Sequence, residues 1–99
     1  MPDIILCSEI GVFSFLELKV TKSGIGKLDL SPHQCAWLSR HSDGPAFVVV
    51  RDRSLAISVY TAADAVDLRM AGLAAVEALA TFEEPYDWES FFRLTSPIE

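Results

Sequence analysis

The run Ala46-Phe47-Val48-Val49-Val50 constrains this chain more than any other segment. It is continuously apolar and rich in β-branched valine. The turn-forming Ser42-Asp43-Gly44-Pro45 precedes it and Arg51 follows it. Such a run reads as a strand buried on both faces, because a half-exposed strand would alternate apolar with polar. A strand of that kind belongs inside a sheet with helices packed against it.

The remaining elements arrange themselves around that strand. Ile4 to Cys7 is a short β-rich run, Ser8 to Gly11 a turn, and Val12 to Val20 a second strand. Two strands joined so closely predict an antiparallel hairpin. In the second strand, Ser14, Leu16, Leu18 and Val20 share one face, and Phe13, Phe15, Glu17 and Lys19 share the other. Leu16, Leu18 and Val20 suit a buried layer. A polar, Gly-containing link, Thr21 to Asp29, leads to a well-marked helix start. Ser31 is a good N-cap, Pro32 fits the first helical position, and Gln34 completes a capping box. Leu30 and Cys35 are placed to form a hydrophobic staple, and Trp37 and Leu38 to anchor the helix, which should run to about His41. After the valine strand come a turn at Arg51 to Ser54 and a strand from Leu55 to Tyr60. Thr61 is then expected to cap a long helix with the stripe Ala62, Val66, Met70, Leu73, Val76 and Ala80, and with Gly72 inside it. The acidic, aromatic tail from Thr81 predicts a short helix carrying Trp88, Phe91 and Phe92, which covers core or meets a partner. The expected fold is α/β (α+β), a mixed sheet with an N-terminal hairpin and flanking helices in the order β-β-α-β-β-α, one domain over 1–99.

Charge narrows the function classes. The 99 residues carry a formal net charge of −6, which argues against a general nucleic-acid binder. The distribution softens that argument. Residues 1–60 hold six acids and six Lys or Arg, so the excess acid lies in 61–99. Lys22, Lys27, Arg51 and Arg53 are the candidate phosphate contacts, a role that positions a nucleic-acid backbone. No run of 18 apolar residues exists, and no basic segment precedes an apolar one at the start, so a cytoplasmic protein without a membrane span is expected. Cys7 and Cys35 read as two buried thiols in a reducing compartment. No His/Cys cluster has zinc spacing, and no serine sits in a triad-like pattern. His33, in the first helical turn, is electrostatically misplaced for an imidazolium; His41 suits the helix end. Trp37 reads as core.

One constellation carries chemistry. Glu17 and Lys19 share a strand face, and the hairpin can bring Asp3 beside them. Two carboxylates around a metal ion with a lysine alongside suit phosphodiester hydrolysis: the cation polarises phosphate and acidifies water, and the ammonium stabilises developing charge. The bland alternative is an ordinary salt-bridged strand pair.

Pro2-Asp3, then Glu17-Leu18-Lys19, then Leu30-Ser31-Pro32 with Gln34 and Trp37-Leu38, then the Gly44-bounded strand, together resemble the PD-(D/E)XK nuclease superfamily. Within it, the likeness is to small VRR-NUC and phage resolvase-like domains, and it covers about residues 2–51. The resemblance implies a restriction-endonuclease-like core and divalent-metal-dependent cutting of DNA, including branched or structured DNA. It assigns Asp3, Glu17 and the backbone carbonyl of Leu18 to Mg²⁺ or Mn²⁺, Lys19 to catalysis, and Gln34 to the active site. Gln34 then has two competing roles, site residue and helix cap. Family domains carry a helix, often with an assisting acid, before the Pro-Asp strand; here Asp3 is the third residue. A minimal version, an absent segment or cover by a partner are the open explanations, and Glu9 is a weak substitute acid. A sheet face left partly bare favours a homo-oligomer, a dimer above all, and the tail favours a partner protein. The alternative function is a catalytically inactive nuclease-fold protein that binds DNA or serves as a structural subunit. A bacterial or phage-infected cell is the expected setting.

Overall fold

The computed structural model describes residues 3–7, 11, 13–21 and 26–95. Pro2, the Ser8–Ile10 turn with Glu9, Val12, and Lys22 with the adjoining part of the link lie outside them.

Five strands form one mixed sheet: β1 (Ile4–Cys7), β2 (Phe13–Val20), β3 (Ala46–Arg51), β4 (Ile57–Thr61) and β5 (Ala80–Phe82). Their spatial order is their chain order, β1-β2-β3-β4-β5. β1 pairs antiparallel with β2, with Ile4 opposite Leu16 and Cys7 opposite Phe13. β2 runs parallel to β3, with Glu17 opposite Val48. Parallel neighbours need a crossover, and α1 (Pro32–Arg40) lies on it. β3–β4 and β4–β5 are antiparallel. The valine strand is central and buried on both faces: Val48, Val49 and Val50 are all core residues.

The start of α1 follows local chemistry. Ser31 Oγ accepts from the Gln34 N–H at 3.1 Å, and the Gln34 side chain accepts the Ser31 N–H at 2.9 Å through Oε1. Both halves of the capping box are made, with Pro32 at the first helical position. At the other end, His41 stacks on Trp37 with ring centres 3.9 Å apart, and its Nδ1 lies 2.7 Å from the Trp37 carbonyl oxygen.

The two sheet faces have different cover. Phe15, Val48, Val50 and Tyr60 meet Leu38 of α1 and Ala65 and Leu68 of α2 (Ala65–Met70), together with Leu28, Leu30 and Cys35. Leu16, Val49 and Val59 meet Phe91 of α3 (Trp88–Thr95).

Four expectations are corrected. The long helix from Thr61 is instead a 3-10 turn (Ala62–Asp64), the six-residue α2, a second 3-10 turn (Leu73–Ala75) and then β5. Gly72 breaks it: at φ 102° and ψ 170° it occupies backbone space open almost only to glycine. The buried stripe is Ala62, Ala65 and Leu68, whereas Val66 and Met70 are exposed. The Thr61 hydroxyl donates to the Asp64 carboxylate and caps no backbone group. Leu18 and Val20 are exposed, because α3 reaches only part of their face. Cys7 is exposed on the edge strand, although Cys35 is buried; neither is in a disulfide. No helix among the described residues is long and apolar enough to cross a membrane.

Candidate functional site

Asp3 stands just before β1 and extends its pairing by other means. Its N–H donates to the Leu16 carbonyl at 3.0 Å. Its carboxylate Oδ2 then accepts the Leu18 N–H at 2.8 Å. A side-chain oxygen thus takes the place that the next backbone acceptor of β1 would occupy. The Leu18 carbonyl lies on the same edge of β2 as its N–H, as strand geometry requires.

Glu17 comes to the same spot from β2. It points to the face covered by α1, beside Val48, and is only 2% exposed. Its carboxyl shares a hydrogen bond with Asp3, and Gln34 Nε2 donates to its Oε2 at 3.0 Å. The competition expected for Gln34 does not arise. The amide has two ends: Oε1 caps the helix while Nε2 holds Glu17. The capped first turn of α1 is therefore tied directly to the carboxyl pair.

The electrostatics follow from these contacts. Burial, and next the hydrogen bond with Asp3, push Glu17 up to about 7. The hydrogen bond from Glu17, and next that from the Leu18 N–H, hold Asp3 below its ordinary range. Without a cation, Glu17 therefore keeps its proton through mildly acidic pH and gives it up around neutrality, while Asp3 stays ionised. Lys19 acts on both carboxyls through its charge. It closes no ion pair with either; among the described residues the only ion pair is Arg93–Glu89, at 2.8 Å.

This donor set suits a hard divalent cation. Two carboxyl oxygens converge, one from exposed Asp3, so solvent can supply further oxygen ligands of the kind Mg²⁺ retains. A cation there competes with the shared proton for the same lone pairs. No group of three or more His, Cys, Asp or Glu residues suited to a metal occurs among the described residues.

The cationic candidates do not gather around the pair. Arg51 lines the α3 side of the sheet, opposite Glu17. Exposed Arg53 sits in the β3–β4 turn, and exposed Lys27 lies in the segment bonded to α2 through Leu28 N–H and Leu68 carbonyl. Lys22 and Glu9 lie outside the described residues, and His33 is exposed. Trp37 packs edge-on against Phe15 at 5.6 Å. The Leu18 N–H as the anchor of Asp3 escapes sequence reasoning, because no side chain marks it. No protein-family profile, curated protein or solved structure matches the chain.

Proposed function

We propose that this chain hydrolyses DNA phosphodiester bonds with Mg²⁺ or Mn²⁺, on a restriction-endonuclease-like core of PD-(D/E)XK type. The observation that carries this reading is the carboxyl pair. Asp3 and Glu17, from separate segments, share a hydrogen bond, with Lys19 on the same strand face as Glu17. Pairs of titratable groups with divergent pKa values often mark functional sites, because structure has forced like charges together.

Asp3 and Glu17 would hold the cation, with the Leu18 carbonyl beside them. When bound, the cation polarises phosphate and lowers the pKa of a coordinated water. The chain's own residues do the rest. The Leu18 N–H fixes Asp3, Gln34 fixes Glu17, and the apolar layer of α1 shields the inner carboxyl from water. The Lys19 ammonium is placed to stabilise negative charge developing on phosphate or to orient the attacking water.

The test is cleavage of single-stranded, duplex, flap and four-way-junction DNA in Mg²⁺, Mn²⁺ or EDTA. EDTA should abolish cleavage. Asp3→Ala, Glu17→Ala and Lys19→Ala should each lower the rate by about 10²-fold or more. Cleavage indifferent to all three would remove the site assignment. The second reading, a non-catalytic nuclease-fold protein that binds DNA or serves as a structural subunit, draws on the same contacts. Gln34, the Leu18 N–H and the shared proton already satisfy the pair without a metal. Folded protein that binds DNA without cutting any of the four substrates would favour it.

A further inference from the structure

The sheet face opposite Glu17 carries an open apolar groove of about 440 Å³. Leu18 and Val20 form its floor at the end of β2, Ile4 one side, and Trp88, Phe91 and Phe92 of α3 the other. Phe91 is buried in the core, but Ile4, Leu18, Val20, Trp88 and Phe92 all remain exposed. So many large apolar side chains on one contiguous surface mark an interaction site, not scattered surface residues. Beside the groove lies β1, Ile-Ile-Leu-Cys, the outermost strand in the sheet order, which carries no charge or proline.

Charge indicates what fits. Lys19 and Arg51 border the groove where β2 and β3 end. Arg51 lies close enough to Tyr86, on the segment leading into α3, to act on its phenol through charge. Acidic Glu83, Glu84, Asp87 and Glu89 line that segment and the first turn of α3. Among the described residues, none of Lys19, Arg51, Glu84 and Asp87 is in an ion pair. The formal net charge of −6 on the chain disfavours nucleic acid as the occupant. A groove rimmed by cations and a helix entered through acids are complementary to each other, and one chain carries both, as a two-fold interface requires.

We infer that the groove is the interface between two copies of this chain, with Trp88 and Phe92 of each α3 seated on the Leu18–Val20 floor of the other. Arg51 of one copy then faces the acidic segment before α3 of the second. The two aromatic side chains act as anchors, the residue types that dominate interface cores. This pairing does not depend on the chemistry at Asp3 and Glu17, so it is tested without DNA.

Light scattering coupled to size exclusion measures the mass across a dilution series, expected at twice 10.9 kDa and falling to 10.9 kDa. Phe92→Ser and Val20→Ser should each weaken the dimer at least tenfold, and Arg51→Glu should do so by charge reversal. Met70→Ser removes an equally exposed apolar side chain on another surface and should leave the mass curve unchanged. Far-UV circular dichroism checks that each variant is folded; should Phe92→Ser unfold, Val20→Ser and Arg51→Glu decide. A monomer up to 100 μM would overturn the inference. So would a dimer that survives the groove substitutions, or a monomer whose Trp88 fluorescence is shielded by added single-stranded DNA instead of by a second copy.

Discussion

The two faces of β2 invert the usual relation between polarity and burial. Glu17 is 2% exposed, while Leu18 beside it is 40% exposed and Val20 is 72% exposed. The acidic side chain sits on the face that α1 and α2 close, and the aliphatic ones sit on the face that α3 only half covers. Burying a carboxyl is costly unless it is neutralised and hydrogen-bonded, and Glu17 has both remedies: a proton shared with Asp3 and the Gln34 amide. Leaving leucine and valine in water is much cheaper, and is reversible by association. One face thus holds a fixed arrangement of polar groups, and the other leaves apolar surface in water.

The contrast breaks first if the closed face is not the more tightly packed one. Leu38→Ala, which empties a fully buried position under the sheet, should cost about 3 kcal/mol in urea unfolding. Val20→Thr on the open face should change monomer stability by less than about 0.5 kcal/mol. Comparable losses at the two sites would mean that both faces are equally closed.

The second expectation concerns pH in metal-free protein. The folded pKa of Glu17, about 7, lies above its ordinary 4.5, so the folded state holds the proton more tightly than the unfolded. Stability from this group is fully present below about pH 4.5 and is lost as pH rises through about 7, by about 3 kcal/mol at most. Asp3, held low, works oppositely, and its contribution is lost only as pH drops below about 4. Urea midpoints between pH 4.5 and 8 should show the fall. Glu17→Gln should flatten it, and Mg²⁺ should offset it if the pair takes the cation. A wild-type profile no steeper than that of Glu17→Gln would show that the carboxyl pair stores no such strain.

The smallest effect separates the two ends of one side chain. Gln34→Ala removes the cap bond and the Glu17 bond together, costing about 1–2 kcal/mol. Gln34→Glu retains the capping acceptor but brings a third carboxyl to the pair. Its stability should therefore fall relative to wild type more at pH 8 than at pH 5.

Much of the fold was legible where residues act locally. The Ser31-Pro32-Gln34 start of α1, the valine strand, the hairpin and the Trp88–Thr95 helix are set by caps, periodicity and turn residues within a few positions. The Thr61–Ala80 segment was not legible. Its three-to-four apolar spacing imitates a helix, and Gly72 inside it has a mild propensity cost in sequence but a decisive backbone role in structure. Of the site, the shared face of Glu17 and Lys19 follows from strand alternation, and the proximity of Asp3 from the hairpin. The Leu18 N–H beneath Asp3 and the two-ended use of Gln34 carry no sequence signature.

The sequence by itself determined which residues of β2 travel together, because the two-residue strand period is a property of the backbone. It could not decide which set would be covered. Coverage depends on where the β2–α1–β3 crossover lays α1 and how far the eight residues of α3 reach across the other face, both set by long-range packing. Tertiary structure alone put Glu17 inside and left Leu18 and Val20 outside.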